Sequence, residues 1–268
     1  MSHTLTIGSQ KGGVGKTTTA LNLAFSMGRM GMKTLLIDLD PQSGTSIAVN
    51  LRNFTDKGLI DVIVEECGVD DILAEASDGS MTVAGIGHVT PDRMPYFEEA
   101  AWNEKLETIL GELSSRYHYT VIDAPAGLGG VVQSALHASE GALLITNCSA
   151  IALKSIHTFL QTVDHVASNG NPDLQLEGVL LSMVDPRSGT EQKIFEEIRS
   201  LLPEGTLMNT VIPYDEVFEE STLEAVPAVL MPGAEEMGRL YFDLAMELKD
   251  RERGQPREKT DDRPQRLF

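Results

Sequence analysis

Two lysines stand five residues apart in the stretch GSQKGGVGKTTTALNL, Gly8 to Leu23. The run to Thr17 follows the phosphate-loop pattern G-x-x-x-x-G-K-[ST] except at its first position, where Gln10 stands in place of glycine. Gly12, Gly13 and Gly15, with Val14 between them, let the backbone turn its N–H groups inward, and the amino end of a following helix adds partial positive charge toward the same anion. Lys16 is placed to neutralise β- and γ-phosphate oxygens, the Thr17 hydroxyl to ligand Mg²⁺, and Thr18 to extend the cradle. Lys11 has no role in that pattern. A second cation in a phosphate cradle would offset further charge on the triphosphate.

Carboxylates stand at two other places. LLIDLDPQSGTS puts Asp38 and Asp40 where a strand should end, and YTVIDAPAGLGG puts Asp123 at the end of another. Asp123 is the expected carboxylate of the Mg²⁺ shell, acting through a water, and Asp38 is a further candidate there. Asp40 is expected to position the attacking water. An aspartate at a strand end also serves as a turn or cap residue, and for Asp38 that reading stands beside the metal one. Gly127, Gly129 and Gly130 would let the loop after Asp123 respond to the γ-phosphate.

Elements able to hold these loops alternate along the chain. Apolar runs at 4–9, 33–38, 119–124, 141–147, 176–184 and 207–213 predict strands buried on both faces, with a weaker strand at 81–87. Helical periodicity predicts helices at 17–30, 98–115, 151–168, 190–202 and 234–250. The alternation implies an α/β fold with a mostly parallel twisted sheet flanked by helices, and ligands at the carboxyl ends of its strands. A chain of 268 residues suits one such domain, expected over 1–250, with 251–268 as a flexible charged tail.

Composition narrows the function classes. The formal net charge is −19, and the last twenty residues hold seven basic and five acidic side chains, which leaves 14 basic and 35 acidic on the rest. Such a body repels nucleic acid on average, though a local basic patch can still bind it. Cys67 and Cys148 form no C-x-x-C pair and are expected to be buried thiols in a reducing cytoplasm. The start MSHTLTIG carries no basic leader and nowhere do eighteen apolar residues follow one another, so a cytoplasmic protein is expected.

KGGVGKTT, DLDPQ and VIDAPAGLG, in this order and spacing, resemble the deviant Walker A P-loop ATPases of the ParA/MinD group, whose members position chromosomes, plasmids, division sites and protein cargo. The similarity spans roughly residues 4–248, and Gln10 matches a variant common among ParA-like members. A weaker match, VIPYDEVFEESTLEAVPAVL, falls where the family contacts adenine and implies Pro213 and Asp215 as base contacts. The resemblance implies ATP and Mg²⁺ as ligands, slow hydrolysis with Lys11, Lys16 and Asp40 as catalytic groups, and a homodimer on ATP binding. In that dimer the lysine at the position of Lys11 reaches the nucleotide of the other subunit. An activating protein partner is expected.

The docking surface is harder to read. DNA-binding members carry arginines in and after the IP segment, whereas here Tyr214 to Glu220 are acidic and aromatic; Arg187, Lys193 and Arg199 remain as basic candidates. Non-specific DNA binding is therefore weakened. Membrane-binding members of the MinD type end in a basic amphipathic helix. Here Arg263, Arg266, Leu267 and Phe268 give a faint echo that Pro264 interrupts, and membrane targeting is not expected. The alternatives are a MinD-like regulator of division or organelle placement and a metabolic ATP-dependent enzyme on the same fold. The two cysteines lie outside the motif loops and argue against an iron–sulfur reductase, and no residues remain for the extra substrate domain expected of an amide-forming ligase.

Overall fold

The structure, a computed structural model, describes residues 2–41, 51–52, 55–76, 78–224 and 226–254. The chain runs β1 (His3–Gly8), α1 (Lys16–Arg29), β2 (Thr34–Asp38), β3 (Leu51–Arg52), α2 (Leu59–Ile63), β4 (Leu73–Ala76), β5 (Thr82–Ala84), α3 (Met94–Trp102), α4 (Lys105–Ser114), β6 (Tyr119–Asp123), α5 (Gly130–His137), β7 (Gly141–Thr146), α6 (Ala152–Asn169), β8 (Gln175–Val184), α7 (Gly189–Leu201), β9 (Leu207–Pro213), α8 (Val217–Leu223) and α9 (Glu235–Gly254). Among the described residues these strands form one sheet in the order β3-β4-β5-β2-β6-β1-β7-β8-β9. Pairing is parallel from β5 through β9, and β4 runs antiparallel to both β3 and β5.

Helices cover both faces, which is why the central strands read as unbroken apolar runs. Leu35, Ile37, Ala142, Leu144, Val179 and Leu181 point into one layer with α2 to α7. Their neighbours Leu36, Leu143, Ile145 and Leu180, with Leu5 and Ile7 of β1, point into the other, against α1 and α9. The register sets Asp38 opposite Asp123 and Ile7 opposite Asp123 across two ladders, so the carboxyl ends of β1, β2 and β6 finish side by side.

The strand and helix expectations hold with two corrections. The helix expected at 98–115 is two helices, α3 and α4, broken where Glu104 takes φ 64° and the Asn103 side chain accepts the Lys105 N–H at 3.2 Å. Phe97 and Ala100 of α3 bury into the same layer as Leu106, Ile109, Leu110 and Leu113 of α4, so the apolar period passes over the break. The last helix runs to Gly254, past the expected tail boundary at 251, because the Arg251 guanidinium donates to the carbonyls of Glu177, Gly205 and Leu207. Residues 255–268, and with them Arg263, Pro264, Arg266, Leu267 and Phe268, lie outside the described residues, as does Gln42 of the DLDPQ motif. Cys148 is buried as expected, but Cys67 is only half-buried.

At the sheet edge the β8–β9 register shifts between Val179 and Leu181, so β9 bulges around 208–210. The N–H groups of Asn209 and Thr210 donate instead to the Glu247 carboxylate of α9, at 2.7 and 3.0 Å. Among the described residues no helix is long and apolar enough to cross a membrane.

Candidate functional site

The loop between β1 and α1 wraps around the start of its own helix. Gly13 and Gly15 take φ of 70° and 79°, left-handed values that a side chain would strain, and Gly15 stands at the N-cap of α1. No side chain caps that end and no carboxylate occupies its first turn, so its N–H groups and partial positive charge face the loop. Ser182, fully buried near the end of β8, donates a hydrogen bond to the Val14 carbonyl and holds the loop from below. The Ser9 hydroxyl donates to the Lys11 carbonyl at 2.9 Å, and the Gly127 N–H donates to the Ser9 carbonyl at 2.9 Å. The glycine loop and the loop after Asp123 are thereby joined through their backbones.

Lys16 and Thr17 converge on Asp123. The Lys16 ammonium lies 2.5 Å from Asp123 Oδ1 and 3.8 Å from Asp40 Oδ2, and the Thr17 hydroxyl donates to Asp123 Oδ2 at 2.6 Å. Asp123 is wholly buried at the end of β6. Burial pushes its carboxyl above the ordinary carboxylate range, while the Lys16 charge and the hydrogen bonds from Lys16 and Thr17 pull the other way. Asp38 is buried beside it and its Oδ1 accepts the Asp40 N–H at 3.0 Å, which fixes the turn presenting Asp40. Of the two, Asp40 lines the open cleft and Asp38 does not.

Lys11 behaves differently. Its amino group donates to the Ser149 hydroxyl at 3.4 Å, on the loop before α6, and among the described residues it has no acidic partner. One loop thus sets one lysine on a buried carboxylate and the other, half-buried and also lining the cleft, on a neutral hydroxyl.

The cleft holds about 280 Å³ and extends from the glycine loop to the end of β9. Gly12, Gly13, Gly15, Lys16, Thr17 and Thr18 line one end, and Pro213 and Asp215 the other. The Asp215 carboxylate also accepts the Val217 N–H at 2.9 Å, starting α8. Sequence reasoning missed three contributors. Ser182 was visible as the one hydroxyl in the apolar run LEGVLLSMV, whereas Met183 and the Phe218 ring, stacked edge-on against Tyr241 at 6.1 Å, carry no signal apart from their place in space. Of the basic candidates, Arg187 is held by Asp185 at 3.0 Å, and Lys193 and Arg199 are exposed on α7. In the acidic segment after β9, Glu216, Glu219 and Glu220 are exposed.

A family described as an AAA domain matches residues 2–176. Over 252 residues the chain is 30% identical to the chromosome partitioning protein ParA of Myxococcus xanthus, covering 92% of this chain and 87% of that protein. It is similar to the solved structure of the septum site-determining protein MinD from Pyrococcus horikoshii complexed with Mg-ADP, with 26% identity, a TM-score of 0.71, and coverage of 91% of this chain and 96% of that one. A cobyrinic acid a,c-diamide synthase from Mycobacterium smegmatis, with bound ADP and magnesium, shares the fold at 22% identity and a TM-score of 0.74, covering 95% of this chain and 96% of that one.

Proposed function

We propose, for a chain that belongs to the ParA/MinD-type family of deviant Walker A ATPases, that it is an ATP-dependent dimerising switch whose slow, partner-stimulated hydrolysis positions or partitions DNA or protein cargo in a bacterial cell. The observation that carries this reading is the divergence of the two loop lysines. Lys16 is committed to its own subunit by Asp123, while Lys11, which also lines the cleft, has among the described residues only a neutral hydroxyl to hold it. A cation so placed is available to the nucleotide of a second copy.

The donor set fits Mg²⁺. The Thr17 hydroxyl and the Asp123 carboxylate are hard oxygen donors 2.6 Å apart beside the anion-binding helix end, and Mg²⁺ typically takes only one or two protein oxygens, with waters and phosphate completing its shell. When bound it neutralises phosphate charge. The chain's own residues do the rest. The α1 N-terminus and the glycine loop bind the phosphates through backbone N–H groups; Lys16 exchanges Asp123 for phosphate oxygen, which leaves Asp123 and Thr17 as the residues that would hold Mg²⁺; Asp40, held by Asp38, holds the attacking water in line. Pro213, Asp215 and Phe218 close around the base. The joint between Ser9 and Gly127 carries the difference between nucleotide states into the loop 125–129. The exposed glutamates of α8 weaken any hold on DNA.

Light scattering with ATP, with ADP and with neither tests the reading. Wild type should dimerise with ATP and Mg²⁺ and less well with ADP, and Lys11→Ala should keep nucleotide binding yet stay monomeric. A Lys11→Ala protein that dimerises as the wild type does would remove the role of this lysine.

A further inference from the structure

Strand β8 departs from its own alternation where it meets the cleft. Leu180 and Leu181 point to opposite faces of the sheet, and the Ser182 hydroxyl, on the α1 side, donates to the Val14 carbonyl. By period, Met183 belongs on the other face with Leu181. It stands instead beside the glycine loop, where it lines the cleft with its Cγ 3.8 Å from the place a Cβ on Gly15 would take. A bulge makes the turn. From Leu181 to Val184 three steps of β8 run against two of β9, Val211 to Pro213, so one residue of β8 is extra. Within that bulge Met183 takes φ 55°, a left-handed value that strains any side chain and that glycine would adopt freely. The two other non-glycine residues with positive φ among those described, Glu65 and Glu104, are exposed at helix ends.

Backbone strain of this kind collects at ligand clamps, where the re-aimed side chain is put to use. The bend faces the middle of the cleft. On one side of it lies Gly15 of the phosphate end, and on the other Pro213, which pairs with Val184, and Tyr214, whose N–H donates to the Val184 carbonyl at 3.0 Å. A nucleotide with its phosphates on the glycine loop and its base toward Pro213 and Asp215 must carry its ribose past this point. A thioether on an unbranched, polarisable arm suits such a surface, since sulfur packs favourably on aromatic rings. We propose that Met183 is a nucleoside-contact residue, kept in a strained bulge so that its thioether packs on the ribose and base of the bound nucleotide. Ser182 then serves the phosphate half of the ligand and its neighbour the nucleoside half. This rests on the reading of the cleft as an ATP site and assigns the wall between its two ends.

Titration calorimetry of the full chain with Mg²⁺, using ATP and inorganic triphosphate as the two ligands, separates these halves. Met183→Gly relaxes the backbone and removes the arm, so affinity for ATP should fall about fivefold while affinity for inorganic triphosphate stays within about twofold. Met183→Leu, close in volume, should bind ATP nearly as the wild type does. Met183→Asn tolerates the left-handed backbone but lacks the apolar arm, so it should behave as Met183→Gly does and replaces that variant if glycine loosens the fold. Ser182→Ala, which releases the Val14 carbonyl, should weaken both ligands alike. The proposal is overturned if the glycine and asparagine variants bind ATP as the wild type does; if they then also lose ATP-driven dimerisation, Met183 is a contact between copies. It is equally overturned if they lose inorganic triphosphate as much as ATP, since Met183 would then only shape the glycine loop. A wild type that binds neither ligand would sink the ATP site and this contact together. A wild type that binds ATP without dimerising, with the variant pattern intact, would sink the switch and leave the contact standing.

Discussion

Asp123 is the residue on which the others depend, since its buried carboxylate has Lys16 and Thr17 as partners. Lys16→Ala removes both the phosphate cation and the charge that compensates Asp123, so two losses are expected together. Nucleotide affinity, measured by titration calorimetry, should fall about 100-fold or more, the worth of one or two charge-assisted hydrogen bonds. The melting temperature should fall as well, because a buried carboxylate stripped of its partner is costly until it protonates. Unchanged ATP affinity would end the phosphate-loop assignment. Asp40→Ala separates the chemistry from binding. Asp40 sits at the cleft 3.8 Å from Lys16, and a group that positions the attacking water matters in the transition state more than in the ground state, so kcat should drop about 100-fold while ATP binding and dimerisation persist. Turnover at the wild-type rate would show that Asp40 has no such role.

Among the elements, β8 carries an unexpected acid beneath the end of α9. Glu177 of β8 is 3% exposed, and burial, reinforced by the Glu252 charge and opposed by Arg251 and Lys249, pushes its carboxyl up to about 7. His3 of β1, Tyr119 of β6 and Glu140 before β7 face the same cluster. As pH rises from the ordinary value of 4.5 toward 7, the unfolded chain releases this proton before the folded one does. The folded state then binds more protons than the unfolded one, and stability falls with pH across that window. Urea midpoints of wild type and Glu177→Gln should diverge between pH 5 and pH 7, as about 7 and the ordinary 4.5 bound the change, the variant losing less stability, and then run parallel. Identical pH dependence in the two proteins would refute the assignment. No such acid can be read from sequence, because Glu177 sits in a strand that reads as apolar and its partner Glu252 lies in the segment expected to be tail. The parallel strands were legible for the opposite reason: covered on both faces, they print their burial as continuous runs. The short elements α2, α5, α8, β3 and β4 leave too few residues for a period to show. The phosphate loop and Asp123 were readable because their spacing is the geometry, whereas Ser182 and Met183 act through neighbours far away in the chain.

For the molecule as a whole, net charge and its distribution govern which surfaces can meet. With −19 overall and exposed glutamates following β9, duplex DNA should not be retained at physiological salt, and mobility-shift titrations should give no dissociation constant below about 1 µM. Tighter, steeply salt-dependent binding would mean that a basic surface outweighs the acidic body. The grip of Glu247 on β9 acts on another mode of association. By occupying the amide groups of Asn209 and Thr210, this one carboxylate denies an incoming chain the hydrogen bonds with which it would lengthen the sheet. Copies that meet along this margin are thus hindered from joining strand to strand into ribbons.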